Sequence, residues 1–176
     1  MKALHRVPLL ALLALTSCGI PATGVVEAGG PASGVVPITP VYFVSGGRLV
    51  AMPRETDLPG DPAAALRLLM DGPASAETGK RLRTEVPGLP SLAPTTDEAS
   101  AAPVPDAPSV SANGDTLTVR LPAGMDALSD VATVQIICTA AAAHRLTASS
   151  TEPVTVEVTD GGGRRVRGSD EDCPGL

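Results

Sequence analysis

Ser109-Val110-Ser111-Ala112-Asn113-Gly114-Asp115-Thr116-Leu117-Thr118-Val119-Arg120-Leu121 carries the clearest β pattern in the sequence. Leu117, Val119 and Leu121 alternate with Thr116, Thr118 and Arg120. That period of two places one face of a strand against a core and the other in water. Asn113-Gly114 between two such runs supplies the positive φ angles of a tight β-hairpin. A second alternation, Val154, Val156 and Val158 against Thr155, Glu157 and Thr159, runs into Gly161-Gly162-Gly163, and Arg164 to Arg167 is the expected return strand. Upstream, Val41-Tyr42-Phe43-Val44 and Leu49-Val50-Ala51-Met52 flank Ser45-Gly46-Gly47-Arg48, which predicts a third hairpin over Pro40 to Met52.

Two helices separate these hairpins. Asp61 fits an N-cap, Pro62 the first helical position, Ala63 to Asp71 the body, and Gly72-Pro73 the stop. Ala63, Leu66, Leu69 and Met70 share one face of it. The second helix is expected from near Ser129 to about Leu146, burying Leu128, Val131, Val134, Cys138, Ala141 and Ala142, with His144 and Arg145 favourable at the negative end of its dipole. Three hairpins interrupted by single helices predict an α+β fold, a mainly antiparallel sheet with two helices on one face.

The flanks read differently. Lys2 and Arg6 precede the apolar run Val7 to Leu15, which is too short to span a hydrocarbon core of about 30 Å. It ends in Leu15-Thr16-Ser17-Cys18-Gly19, which resembles a bacterial lipobox, with the signal peptide at 1–17 and Cys18 as the lipidation site. The expected location is the extracytoplasmic face of the cell membrane, held through the N-terminal lipid; more than one acyl chain makes such attachment stable. Residues 18–39 carry one charge, Glu27, among Gly, Pro, Ala and Val and read as a tether. Residues 93–108 are Ala, Pro, Thr, Ser and acidic residues without a period, an insertion that cannot bury enough apolar surface to offset its ordering entropy. Residues 169–176 read as a solvated acidic tail.

Removing residues 1–17 takes Lys2 and Arg6 from the 13 Lys+Arg and none of the 19 Asp+Glu, leaving a formal charge of −8. Such a chain repels phosphate backbones, so nucleic acid is not an expected partner. The mature part holds one histidine, His144, where a dipole-capping role outweighs catalysis, and it holds no Gly-x-Ser-x-Gly elbow. No pair of Cys or His has ligand spacing, and Asp170-Glu171-Asp172 lacks the alternation and central glycine of a calcium loop. The expectation is therefore no enzyme, no cofactor and no metal. Outside the cytoplasm, Cys138 and Cys173 are candidates for a disulfide that ties the tail to the second helix; the alternative is a buried, inert Cys138 and a free or capped Cys173. Arg164-Arg165-Val166-Arg167 reads as a charged edge strand that discourages sheet-to-sheet pairing, in preference to a contact for lipid phosphate or an acidic partner. Of the adjacent Tyr42 and Phe43, which face opposite sides of a strand, one is expected in the core and the other as an exposed anchor.

Taken in order, the sequence resembles the GerMN domain, the sporulation and spore germination module of envelope lipoproteins. The resemblance is carried by Val41-Tyr42-Phe43-Val44, Leu49-Val50, Arg54, Leu66 through Pro73, the Gly114-to-Leu121 strand, Val134-Gln135-Ile136-Ile137-Cys138-Thr139 and the Val-rich strand ending at Asp160-Gly161. It covers residues 40–168, and the insertion at 93–108 departs from it. It implies an α+β domain related to ring-building modules, a non-enzymatic scaffold or regulatory role in sporulation, germination or envelope signalling, an envelope protein as partner, and an oligomer as a possible assembly. The residues themselves leave open a second class, a binding protein for a small ligand or cell-wall fragment. A dominant concave pocket would favour that class, and an exposed sheet edge or apolar patch the first.

Overall fold

The computed structural model describes residues 38–88 and 107–175. Cys18, the signal peptide, the tether up to residue 37 and the insertion apart from its last two residues lie outside the described residues. Six strands and two α-helices follow one another: β1 (Ile38–Ser45), β2 (Arg48–Glu55), α1 (Pro62–Asp71), β3 (Ser109–Asn113), β4 (Thr116–Arg120), α2 (Asp130–Arg145), β5 (Thr155–Thr159) and β6 (Arg165–Ser169). Short 3-10 turns occupy Ser75–Lys80 and Asp170–Asp172. The α+β class is as expected, but the strands form two sheets instead of one. β1 and β2 pair alone, and the other four lie in the order β3-β4-β5-β6.

All three hairpins are antiparallel, while β4 and β5 run parallel. The reason is the connection between them: a chain that leaves β4 and returns through a helix of this length arrives at the same end, so the next strand points the same way. The side-chain period survives, with Leu117, Val119, Val156 and Val158 buried on one face. They join Val41, Phe43, Leu66, Leu69 and Ile136 in a single aliphatic core.

Helix α1 starts and stops where its punctuation says. The Asp61 carboxylate accepts from the N–H groups of Ala63 and Ala64 at 2.7 and 3.2 Å, and Gly72, at φ 81°, donates to the Leu69 carbonyl. Helix α2 is capped by the Ser129 hydroxyl; Leu128, Cys138 and Ala141 are buried as expected, but Val131, Val134 and Ala142 are not. Val131 is 46% exposed, whereas Ala132, Gln135, Ile136, Thr139, Ala140 and Ala143 are buried. The helix is enclosed because it packs on β1 and α1 as well as on β5 and β6, rather than lying with α1 on one face of a single sheet. Alanines let those neighbours approach closely.

Strand β1 is buried on both faces, from Thr39 to Val44. Ile38 and Thr39, read as the end of the tether, are part of it and pair with Glu55 and Arg54. Both aromatic residues are enclosed, Phe43 at 0% and Tyr42 at 3% exposure, so neither is an exposed anchor. Arg54 lies over the Phe43 ring, 4.9 Å from its centroid, and pairs with Glu77, which also accepts from the N–H of Ala74. Both charged side chains are largely buried. Arg54→Met keeps the apolar stem but strands the Glu77 carboxylate, and is expected to lower stability by about 1.5–3 kcal/mol. The check is a urea midpoint that falls while the denaturant slope stays constant.

Candidate functional site

The C-terminal segment is built into the domain. Strand β6 ends at Ser169, whose hydroxyl accepts from the N–H of Glu171 and starts the 3-10 turn. Asp170 then joins three segments. Its Oδ1 accepts from the N–H of Val154 at 2.9 Å, and its Oδ2 accepts from Arg145 Nε at 2.8 Å and Nη2 at 2.7 Å. Arg145 Nη1 in turn donates to the Ser150 carbonyl. The reading of 169–176 as a solvated tail is therefore corrected: Asp170 trades water for a guanidinium and a backbone donor, while Glu171, Asp172, Pro174 and Gly175 remain exposed. Cys173 is disulfide-bonded to Cys138 of α2, and the Tyr42 hydroxyl donates to the Pro174 carbonyl at 2.9 Å. These bonds lay Pro174-Gly175 beside the first hairpin. His144, at the end of α2, has Nε2 3.1 Å from the Gly114 carbonyl and ties that helix to the β3–β4 turn.

Burial and the Asp170 carboxylate both raise the Tyr42 phenol above its ordinary value near 10. A group that holds its proton more tightly when folded lends stability below its unfolded value, and that stability is lost as pH rises through the folded one. Stability is thus expected to fall from about pH 10 upward, and Tyr42→Phe is expected to flatten that limb. Tyr42 is the single tyrosine of the chain, so phenolate absorbance against pH reports it alone.

The tail forms one wall of an apolar cleft of about 550 Å³. Pro40, Leu49, Ala51 and Pro53 of the hairpin form another side, with Leu146 just beyond α2, and no lining residue carries a charged or hydrogen-bonding side chain. Leu49 also borders a neighbouring hollow of about 230 Å³ with Val131 and Val134, where Arg48 and Asp130 are the charged neighbours. Among the described residues, Ile38, Val50, Val131 and Leu146 are four of the five exposed large aliphatic side chains, and all four line these two hollows. Single exposed aliphatics are ordinary on a protein surface; their concentration along one furrow is not, and makes it the candidate site.

That furrow runs beside an unpaired strand edge. The backbone of Tyr42 is turned away from β2: its N–H donates to Thr139 Oγ1 at 3.1 Å and its carbonyl accepts from Gln135 Nε2 at 2.9 Å. Val44 likewise exchanges two bonds with Arg83. Their partners across the ladder, Ala51 and Leu49, therefore point their own N–H and C=O groups outward, and among the described residues no strand takes them. Pro53, opposite Pro40, adds an outward carbonyl and no donor. The other free edges differ. β3 and β6 have five residues each, and β6 carries Arg165 and Arg167, whereas β2 has eight residues and an uncharged centre, Leu49 to Met52.

No family model, curated protein or solved structure matches the chain. The furrow was not anticipated from sequence, although Pro53 at the end of an otherwise apolar run is a signal for an edge strand. Of the candidate residues, Cys138 and Cys173 are brought together below the cleft, His144 and the arginines of β6 lie away from it, and Cys18 is outside the described residues. Among those residues no group of three or more His, Cys, Asp or Glu is placed to hold a metal ion, and no helix is long and apolar enough to cross a membrane.

Proposed function

We propose that this chain is a lipoprotein, lipidated at Cys18 and held on the extracytoplasmic face of the cell membrane, whose GerMN-like domain serves as a non-enzymatic interaction module for another envelope protein. The observation that supports this reading is the apolar edge of β2, unpaired among the described residues, beside a furrow that gathers four of their five exposed large aliphatic side chains. A scaffold needs a persistent surface with unsatisfied pairing capacity, and strand edges that are not meant to pair are normally short or charged. Sporulation, germination or envelope signalling is the setting that the GerMN resemblance suggests. The test is expression in a bacterial host with surface cross-linking, comparing Cys18 with Cys18→Ala. The expected result is a membrane-bound intact form that cross-links to one discrete protein and a released variant that does not. Release of both forms without a cross-linked partner overturns the reading.

The second reading, a binding protein for a small ligand, draws on the cleft volume, which lies in the range of small-molecule sites. Its lining narrows the choice. A cell-wall sugar would lose its water there without gaining a side-chain partner, so only an apolar ligand suits the cleft. Native mass spectrometry of the purified protein separates the two readings, since a resident apolar ligand would travel with the chain.

A further inference from the structure

The first hairpin leaves two kinds of information along one line: a ladder of unfilled backbone groups and charges at its two ends. The outward groups are the N–H and C=O of Leu49 and of Ala51 and the C=O of Pro53. In an antiparallel pair these residues and their partners share a face, and here Pro40, Leu49, Ala51 and Pro53 of that face line the apolar cleft. At the start of β2 stands Arg48, exposed; at its far end stand Glu55 and, two residues on, Asp57, both exposed. None of the three has an ion-pair partner among the described residues.

We propose that the outer edge of β2 receives an extended segment of a partner protein as an additional antiparallel strand. That segment carries an apolar residue at every second position, a basic residue at its N-terminal end beside Glu55 and Asp57, and an acidic residue at its C-terminal end beside Arg48. The backbone ladder supplies the attachment, the cleft selects the alternation, and the charges fix the direction. The missing N–H of Pro53 ends the ladder on one side, so the recognised segment is short. This inference rests on the interaction-module reading and specifies the chemistry of its partner.

The experiment uses the full mature chain with Cys18→Ala, and as probes two labelled synthetic peptides, KVTVTVTVE and its charge-reversed counterpart EVTVTVTVK. Fluorescence anisotropy is expected to show saturable binding of the first, at least about threefold tighter than the second. Amide exchange at Leu49 and Ala51 is expected to slow by about tenfold when it binds. Ala51→Pro removes one outward donor without touching the β1 ladder, and is expected to weaken binding by about tenfold. If that variant is misfolded by circular dichroism, Arg48→Glu takes its place and is expected to abolish the preference between the two peptides. Leu58→Ser, an exposed aliphatic away from the furrow, serves as the control that changes neither.

Absence of binding, equal affinity for the two peptides, or full affinity in Ala51→Pro overturns the proposal. So does protection of the Leu49 and Ala51 amides in the peptide-free monomer or on dimerisation, which gives the edge to the chain's own segments or to a second copy. Displacement of the peptide by palmitate without any amide protection gives the cleft to a lipid chain instead. Cross-linking in the host separates this inference from its parent reading. A partner captured equally well by Ala51→Pro leaves the interaction module in place and removes strand addition, whereas no partner at all removes both.

Discussion

Gln135→Leu is expected to cost about 2–5 kcal/mol, although the substitution nearly conserves volume and replaces a polar side chain with an apolar one inside a core. The reason is that Gln135 is fully buried and holds two segments at once. Its Nε2 donates to the Tyr42 carbonyl at 2.9 Å, and its Oε1 accepts from the N–H of Glu85 at 2.8 Å. Leucine removes both partners, leaving the buried Tyr42 carbonyl without water at about 1–3 kcal/mol and the part-buried Glu85 amide unpaired at a smaller cost. Thr139→Val, which strands only the N–H of Tyr42, is expected to cost about 1–3 kcal/mol. Because the two side chains satisfy the same residue of β1, the double variant should lose less than the sum of the two. Urea melts of the four proteins measure this; a Gln135→Leu variant as stable as the parent would show that the β1 edge is held by packing alone.

Those two residues also explain where reading the sequence stops. Asp61-Pro62 with Gly72, Asn113-Gly114, and the alternations in β4 and β5 are local signals: each names a backbone state within a few residues, and the structure reproduces them. The face of α2 is not local. Val131 and Val134 continue the helical spacing of the buried Leu128, Cys138 and Ala141, and on a helix packed on one side they would be buried with them. Here the helix is enclosed by two sheets and α1, so alanines mark the close contacts. Buried Gln135 and Thr139 cover a strand edge separated from them by over 90 positions. Likewise β1 shows no alternation because both of its faces are covered, and nothing in it reveals that its hairpin stays apart from the other four strands. The furrow inherits that gap. Leu49 and Ala51 read as a strand, which in the structure runs on past Met52 through Pro53, but Leu146, Pro174 and Gly175 reach them only through the path of α2 and the disulfide.

Loss of the Cys138–Cys173 bridge is the change expected to reach furthest. The two cysteines are 35 positions apart, and closing a loop of that size removes enough freedom from the unfolded chain to stabilise the fold by about 3–4 kcal/mol. For a domain of this size that corresponds to a fall in Tm of about 10–20 °C, to be seen by calorimetry of Cys173→Ala beside the oxidised parent. The local consequence separates this from a general loosening. Without the bridge, Pro174 and Gly175, which lie beyond the Asp170 anchor, are held to the hairpin by the hydrogen bond from Tyr42 to the Pro174 carbonyl, and one such bond is worth about 1 kcal/mol net. With Pro174 and Gly175 released, Tyr42 opens to water, so the phenol should titrate closer to its ordinary value. The wall that Pro174 and Gly175 give the cleft goes with it, and peptide affinity at β2 should fall while the outward amides of Leu49 and Ala51 remain. A variant that melts early yet keeps the raised Tyr42 titration would mean that the tail stays docked through Asp170 and Arg145, and that the bridge acts on the unfolded chain alone.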